Sequence, residues 1–255
     1  MDRHEMGEII ELACRAGKIV VENGGETFRA EDTMRYVCAA FAIEECDCYA
    51  TPTTIIISAG WQGEVLSRMM RIKTRGVNLH KVELVNQFSR SIAQQPMPAA
   101  EAKAVLAAID AVPPYNLAVT TAAAALGTAS FTVIFGGGLV HFLSGILAGG
   151  ILRLLLVYFN RMRLEYFTTN LLGAAAAAVC GWLFGFVGVL ADWWIVAFAA
   201  IMQMVPGLIF TNAIRDSAAG DLVSGSSRGV EAFAIVTALA CGAGAVLILL
   251  GRWGG

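Results

Sequence analysis

The feature that most constrains the fold is a series of long apolar stretches in the second half of the chain. The length of each stretch is close to the roughly 20 residues that a helix needs to cross a hydrocarbon core of about 30 Å. The stretches run from Asn116 to Phe135, Leu139 to Phe159, Phe167 to Leu190, Trp193 to Thr211 and Val230 to Leu250. Hydrophobic residues make up 57% of the chain and mean hydropathy is +0.65, above the roughly 45–50% apolar content of soluble domains. The sequence therefore predicts an α-helical membrane protein with five transmembrane helices.

Residues 1–115 have a different pattern, which predicts a small α+β domain. Apolar residues at helical spacing indicate helices at residues 5–22, 28–42, 78–93 and 99–111. The β-branched run from Cys48 to Ser58 and the stretch from Glu64 to Thr74 indicate a hairpin of two strands, with Pro52 at the beginning or edge of the first. Thr27 is a candidate N-cap of the second helix, because its hydroxyl can accept a hydrogen bond from a free backbone amide.

The first domain is expected to lie in the cytoplasm, and residues 116–255 are expected to form the transmembrane domain. No apolar run long enough for a signal peptide occurs before residue 117. Lys and Arg occur in the second and fourth predicted loops, residues 160–165 and 212–229, and not in the first and third, as the positive-inside rule requires. Five crossings from a cytoplasmic N-terminus then place the C-terminus outside. The expected location is the cell membrane, plasma or inner, with multiple passes.

Charge, cysteine and histidine content argue against several other classes of protein. The net charge is -2, and no basic stripe with interleaved aromatics suggests a nucleic-acid partner. Six cysteines and three histidines are scattered along the chain, which fits reduced thiols better than a disulfide framework. Cys46 and Cys48 lack the spacing of a zinc or redox motif. No metal site and no cofactor are expected.

A polar segment from Met204 to Glu231 interrupts the apolar stretches and is the candidate substrate path. It begins with a break at Pro206 and Gly207. Its polar side chains include Thr211, Asn212, Arg215, Asp216, Asp221, Ser224 and Arg228. Backbone that leaves the helical ladder inside a bilayer persists only where it is buried in protein or lines a wet cavity. A kinked helix followed by an ordinary loop would give the same pattern.

The chain resembles the threonine/serine exporter family, which is also described for the paired succinate exporter subunits of bacteria. The most specific motifs are Val-Pro-Gly-Leu-Ile-Phe-Thr-Asn-Ala-Ile-Arg-Asp at 205–216, Gly-Asp-Leu-Val-Ser-Gly at 220–225 and Arg-Gly-Val-Glu-Ala at 228–232. Similar motifs in the first half are Gly-Gly-Glu-Thr-Phe-Arg-Ala-Glu at 24–31, Ala-Thr-Pro-Thr at 50–53, Thr-Arg-Gly-Val-Asn-Leu-His-Lys at 74–81 and Val-Asn-Gln-Phe-Ser-Arg at 85–90. The resemblance covers nearly the whole chain.

The resemblance implies a secondary transporter that exports small carboxylates, either hydroxy amino acids or dicarboxylates such as succinate, with the proton gradient as the energy source. Full-length members of the family carry a second block of hydrophobic spans, whereas this chain stops at Gly255. The resemblance therefore implies the larger subunit of a split exporter. Its expected partners are a separate small hydrophobic subunit of the same family and the lipid bilayer. A homo-oligomer is also compatible with the sequence.

A transporter of this kind has to bind the carboxylate of its substrate, and the sequence offers several groups for that role. Arg153, inside the second apolar stretch, and Arg215 each present a planar guanidinium to two oxygens. Arg153 could instead extend its charge toward the cytoplasmic interface. Backbone amides freed at the Pro206-Gly207 break also favour anions.

Other residues of the segment are assigned to hydrogen bonding and to proton coupling. Thr211 and Asn212 would supply neutral hydrogen bonds to an amino or hydroxyl group. Asp216, Asp221 and Glu231 are the candidates for proton coupling, because a carboxyl that alternates between wet and buried settings changes its pKa. Glu231 could instead be a first-turn carboxylate stabilised by the helix dipole.

Two other functions remain open at this point. The first is a membrane-anchored cytosolic enzyme with its chemistry around Glu26, Arg29, Thr51 and Thr53, which would show turnover by residues 1–115. The second is a ligand-sensing scaffold whose helices only anchor it. A scaffold would give no solute flux in reconstituted vesicles.

Overall fold

The computed structural model describes residues 2–43, 45–61 and 63–251, and the chain divides into two compact units. The first, here called the α+β unit, comprises Met1–Pro114 and Leu208–Val230. The second, here called the helical unit, comprises Tyr115–Gly207 and Glu231–Gly255. Part of the polar segment identified in the sequence therefore belongs to the same compact unit as the first 114 residues.

Four helices of the α+β unit confirm the sequence predictions to within two residues at each end. They are α1 (Arg3–Glu22), α2 (Thr27–Ala40), α3 (Leu79–Gln94) and α4 (Ala99–Asp110). Asp2 caps α1 by accepting a hydrogen bond from the Glu5 amide at 2.7 Å, and Asn78 caps α3 by accepting one from the Lys81 amide at 3.2 Å. Short polar side chains at these positions satisfy amides that the helix leaves free.

The sheet of the α+β unit is antiparallel and has three strands in the order β1 (Cys46–Ala50), β2 (Thr54–Trp61) and β3 (Glu64–Arg71). The predicted hairpin is confirmed as β2 and β3, with Ile57 opposite Arg68. The prediction of one strand from Cys48 to Ser58 was wrong, because a turn at Thr51 divides it. The Thr51 hydroxyl accepts a hydrogen bond from the Thr54 amide at 3.0 Å, and Pro52 has no amide to continue a ladder.

The core of the α+β unit forms around α1, which packs against α2, α3, α4, β2 and β3. The apolar face of α1 is buried because its residues recur at helical spacing. The largest fully buried side chains of this core are Met6, Ile9, Leu12, Val20, Met34, Val37, Ile55, Ile57, Val85 and Ile92. This core holds the N-terminus of α2 in place, and that N-terminus contributes to the candidate site.

The helical unit contains α5 (Leu117–Ile134), α6 (Leu139–Arg161), α7 (Tyr166–Phe186), α8 (Trp194–Ile201) and most of α10 (Leu222–Gly251). The remaining helix, α9 (Gly207–Ala218), lies almost wholly in the α+β unit. Among the described residues, four helices are long and apolar enough to cross a membrane: α5, α6, α7 and α10. This finding supports a multi-pass membrane protein.

The fourth predicted span, residues 193–211, is not one continuous helix, and the break predicted at Pro206 and Gly207 is confirmed. Helix α8 ends at Ile201 and α9 begins at Gly207, with Pro206 between them. Proline has no amide hydrogen and its ring clashes with the preceding turn, so a helix cannot run through it unchanged. Neither α8 nor α9 reaches the length of a membrane span, so the four qualifying helices among the described residues do not confirm the prediction of five.

The prediction of a loop at residues 212–229 was also wrong. Helix α9 continues to Ala218, and α10 begins at Leu222. Gly220 connects them with a φ of +92°, a backbone conformation that glycine adopts without a steric penalty. Asp221 then accepts a hydrogen bond from the Ser224 amide at 3.0 Å, as an N-cap residue does. The polar residues of this segment are therefore held on two helices.

Gly225 allows α10 to approach α9 closely, and its replacement gives a test of that packing. A Cβ atom at Gly225 would contact the Ser217 side chain and would lie 3.0 Å from the Ala213 carbonyl oxygen, whereas at Gly229 it would meet no atom within 4 Å. Gly225→Ala should destabilise the protein by about 1–3 kcal/mol through overpacking. Gly229→Ala, the matched control, should stabilise it by up to about 1 kcal/mol, because alanine favours helix. Thermal unfolding of the purified chain in detergent measures both, and equal effects would contradict the close approach.

Candidate functional site

The candidate site is a group of polar side chains where the N-terminus of α2 meets α9 and the beginning of α10, all within the α+β unit. We call it the polar cluster, and it consists of Glu26, Thr27, Asn212, Arg215, Asp216, Asp221, Ser224 and Arg228. Six of these are buried, Asp221 is half-buried and Arg215 is exposed. Polar groups are rarely buried unless they are paired. A group of six buried polar side chains is therefore an unusual feature of this unit.

The loop between α1 and α2 offers its backbone carbonyl oxygens to the cluster. The Gly24 oxygen accepts a hydrogen bond from Asn212 Nδ2 at 3.0 Å, and the Gly25 oxygen accepts one from Arg228 Nη2 at 3.0 Å. Gly24 has a φ of +93°, and a Cβ atom at Gly25 would lie 2.9 Å from the Val20 carbonyl oxygen. Glycine is needed at both positions for the loop to present its carbonyl groups in this way.

Asp216 is at the centre of the buried part of the cluster. Its Oδ1 accepts a hydrogen bond from the Thr27 hydroxyl at 2.9 Å, and its Oδ2 lies 2.9 Å from Arg228 Nε in an ion pair. The Asp216 side chain is 0% exposed and that of Arg228 is 7% exposed. A buried charge pair of this kind costs solvation energy to form, and the removal of one member leaves the other charge uncompensated.

Thr27 has a different role from the one predicted. The N-cap of α2 is Glu26, which makes no side-chain capping bond, and Thr27 is the first helical residue. Its hydroxyl donates to Asp216, and it also lies 3.4 Å from Asp221 Oδ2. The N-cap prediction was therefore wrong, because an acceptor from a distant part of the chain binds the hydroxyl.

Glu26 connects the buried part of the cluster to the exposed part. Its Oε1 accepts a hydrogen bond from Arg215 Nη1 at 2.5 Å, and its Oε2 accepts one from Arg29 Nε at 2.8 Å. The Arg215 side chain is 57% exposed, whereas that of Glu26 is 8% exposed. Arg215 thus presents part of its guanidinium to the surroundings while its position is fixed by a buried carboxylate.

The carboxyl groups of Asp216 and Glu26 are both buried, and their pKa values are shifted in opposite directions. Both residues lie outside the long apolar helices α5, α6, α7 and α10. Burial raises the pKa of Asp216, and the hydrogen bond from Thr27 and the charge of Arg228 only partly offset it. Burial also acts to raise the pKa of Glu26, but hydrogen bonds from its own amide, Arg29 and Arg215 outweigh it, so the pKa is lowered. Of the two, Asp216 is the group whose proton uptake moves toward neutral pH.

The structure brings four of the predicted site residues together in one cluster. Asn212, Arg215, Asp216 and Asp221 belong to the polar cluster, and Thr211 is an exposed residue of α9 in the same unit. The other predicted residues belong to the helical unit and are Arg153, Pro206, Gly207 and Glu231. Arg153 is half-buried on α6, and its Nε makes no hydrogen bond within the described part of the chain.

Sequence reasoning gave no transport role to Glu26, Thr27, Ser224 and Arg228, although Ser224 and Arg228 were named among the polar side chains of the candidate path. Glu26 was considered only as part of an enzyme site, and Thr27 only as a cap. One signal was present, since the motif of residues 24–31 is among those that resemble the family. The two glycines of this motif are the residues that allow another group to approach the backbone closely.

Four long apolar helices, with a compact unit that contains a buried polar cluster, define a multi-pass membrane protein. Residues 11–250 match the family model described as "Putative threonine/serine exporter" (ThrE). The chain belongs to this family, so the resemblance seen in the motifs is confirmed, and the family indicates a role in transport. The chain has no significant match among curated proteins or solved structures.

Proposed function

We propose that the chain is a subunit of a secondary transporter that exports threonine and serine from the cytoplasm. Membership of the exporter family over residues 11–250 is the observation that carries this proposal. The polar cluster supports it, because paired charges and hydrogen-bonding groups meet on the motif that is most specific to the family. A dicarboxylate such as succinate is the second candidate substrate. It is favoured by two guanidinium groups, Arg29 and Arg215, that share one carboxylate, Glu26.

In this proposal the carboxylate of the substrate binds to a cationic group or to backbone amides at the broken helix. Arg215 is the first candidate, because it is exposed and its guanidinium has donors beyond the one that Glu26 accepts. Arg153 on α6 is the second candidate, within the membrane. Pro206 and Gly207 interrupt the helical ladder between α8 and α9, and a discontinuous helix of this kind provides backbone groups for a polar ligand.

The amino and hydroxyl groups of the substrate are proposed to bind to Thr211 and Asn212. The residues proposed to couple transport to protons are Asp216, Asp221 and Glu231. The raised pKa of Asp216 supports this role, because a carboxyl with a raised pKa exchanges its proton closer to physiological pH. The half-buried position of Asp221 leaves that carboxylate reachable from water.

The proposed topology places residues 1–115 in the cytoplasm and the C-terminus outside, in the plasma or inner membrane. It requires an odd number of crossings, so the interrupted stretch of residues 193–211 would form the fifth. A small hydrophobic subunit of the same family is the proposed partner. Exposed apolar side chains on α10, such as Phe233 and Ile248, fit contact with either lipid or such a subunit.

Counterflow in lipid vesicles tests the proposed function. Vesicles that contain the chain, with and without a co-expressed small hydrophobic subunit, are loaded with unlabelled threonine, serine or succinate and diluted into the labelled form of the same compound. We expect uptake of label above that of protein-free vesicles for threonine and serine. Uptake of succinate alone would support the dicarboxylate alternative. The absence of flux for all three substrates, from inserted and folded protein with the subunit present, would contradict export and favour the scaffold.

A further inference from the structure

Three cysteine side chains meet between α2 and β1 in the α+β unit. The sulfur of Cys46 lies 3.3 Å from that of Cys38 and 3.4 Å from that of Cys48. All six cysteines of the chain are free thiols in this structure. The arrangement follows from the fold: Cys46 and Cys48 alternate along β1 and so lie on the same face, and α2, which carries Cys38, packs against that strand.

The three thiols differ in their exposure. Cys38 is 0% exposed, while Cys46 and Cys48 are half-buried. A small oxidant can therefore reach Cys46, but Cys38 is protected by the core. A reachable thiol beside a protected one is typical of redox-active pairs, in which the first reacts with the oxidant and the second resolves the product.

The surroundings of Cys46 favour its thiolate. The thiols of Cys38 and Cys48 both lie within hydrogen-bonding distance of its sulfur, and these contacts, with a smaller contribution from the charge of Arg35, lower the pKa of Cys46 to about 4 against the effect of burial. From α1, Cys14 also faces this group. The residue opposite Cys46 on β2 is Ala59, which has no charge. The thiolate is the form of cysteine that attacks an oxidant.

We propose that Cys46 is a redox modification site that reacts with hydroperoxides and then forms a disulfide with Cys38. In the first step the Cys46 thiolate attacks the terminal oxygen of the hydroperoxide, which gives a sulfenic acid and, after protonation, an alcohol or water. In the second step the Cys38 sulfur attacks the Cys46 sulfur and a water molecule leaves. The net reaction consumes two thiols and one hydroperoxide and yields one disulfide, one alcohol (water when the oxidant is hydrogen peroxide) and one further water.

Cys38 is favoured over Cys48 as the resolving thiol. Cys46 and Cys48 are two residues apart on one strand, so their Cα atoms are about 6.6 Å apart, near the upper limit of about 6.8 Å for a disulfide. A bridge to Cys38 instead joins two packed elements.

Metal binding is a weaker alternative, because within residues 2–43, 45–61 and 63–251 no group of three or more His, Cys, Asp or Glu side chains has the geometry of a metal site.

Oxidation of the purified full chain in detergent tests the proposal. After reduction, one equivalent of hydrogen peroxide should give a Cys38–Cys46 disulfide in peptide mass mapping. Cys38→Ser should instead leave a sulfenic acid at Cys46 that dimedone labels, and Cys48→Ser should still form the bridge. A bridge to Cys48 in the wild type, or no oxidation at Cys46, would overturn the assignment.

The pH profile of alkylation gives a second readout that needs no variant. The rate for Cys46 should be nearly constant between pH 6 and pH 8, because the thiolate is already formed. For an ordinary thiol with a pKa of about 8.5, the rate rises close to a hundredfold over the same interval. Free glutathione added to the same sample supplies this comparison. A profile for Cys46 as steep as that of glutathione would contradict the proposal.

Discussion

Replacement of Asp221 by Asn is expected to reduce threonine efflux to the background level of cells that lack the protein. The variant keeps the beginning of α10, because Asn accepts the Ser224 amide about as well as Asp does. It loses the carboxylate that we assign to proton coupling. Arg215→Ala should give the same loss, since it removes the exposed guanidinium assigned to the substrate. Export of labelled threonine from cells complemented with each variant measures both effects.

The matched controls for these variants are Asp32→Asn and Arg35→Ala. Asp32 and Arg35 form an exposed ion pair at 2.8 Å on α2, outside the polar cluster. Both controls should export threonine at the wild-type rate. Wild-type export by Asp221→Asn and Arg215→Ala, at equal amounts in the membrane, would refute the assignment of the site. Family membership and fold would be unaffected.

Asp216→Asn is expected to destabilise the protein strongly. The substitution keeps the shape of the side chain and an acceptor for the Thr27 hydroxyl, but it leaves the buried charge of Arg228 without its carboxylate. The loss of one member of a buried ion pair costs about 3–5 kcal/mol. Thermal unfolding of the purified chain in detergent should show a large decrease in the transition midpoint.

Asp32→Asn also serves as the control for this experiment, because it makes the same chemical change in an exposed pair. Surface ion pairs contribute at most about 1 kcal/mol. The transition midpoint of Asp32→Asn should therefore stay close to that of the wild type. Similar midpoints for Asp216→Asn and Asp32→Asn would mean that the Asp216–Arg228 pair does not hold α9 and α10 together.

The helices of the fold could be predicted well because their signals are local. Apolar periodicity located α1 to α4 within two residues of their observed ends, and apolar length located α5, α6 and α7. The turn at Thr51 was missed because one side-chain hydroxyl decides it. A run of β-branched residues does not show where a strand changes direction.

The polar segment was misjudged for a different reason. Asn212 to Gly229 has the composition of a loop, yet its residues form the end of α9 and the beginning of α10. The competing effect is tertiary: side chains such as Asn212 and Arg228 donate to carbonyl oxygens of a loop that is 188 and 203 residues away in sequence. The secondary-structure propensities of single residues carry no information about such distant partners. The hydrogen bonds to these partners outweighed the local preference for a loop.

The site was predicted only in part for the same reason. The candidate list contained Asn212, Arg215, Asp216 and Asp221 because they are polar residues between apolar stretches. Thr27 and Glu26 reach the cluster only through the packing of α2. The thiol group shows this limit as well, since the spacing of Cys46 and Cys48 gave no motif and Cys38 approaches them only when α2 packs against β1.

Equilibrium binding of labelled threonine to membranes that contain the full chain tests most directly whether the polar cluster contacts the substrate. The wild type should bind threonine saturably, with displacement by serine. Arg215→Ala should weaken binding by about tenfold or more, because hydrogen bonds to charged groups contribute about 1.5–3 kcal/mol and about 1.4 kcal/mol corresponds to a tenfold change in Kd. An unchanged Kd in Arg215→Ala, with equal amounts of folded protein, would contradict a role of the cluster in substrate binding.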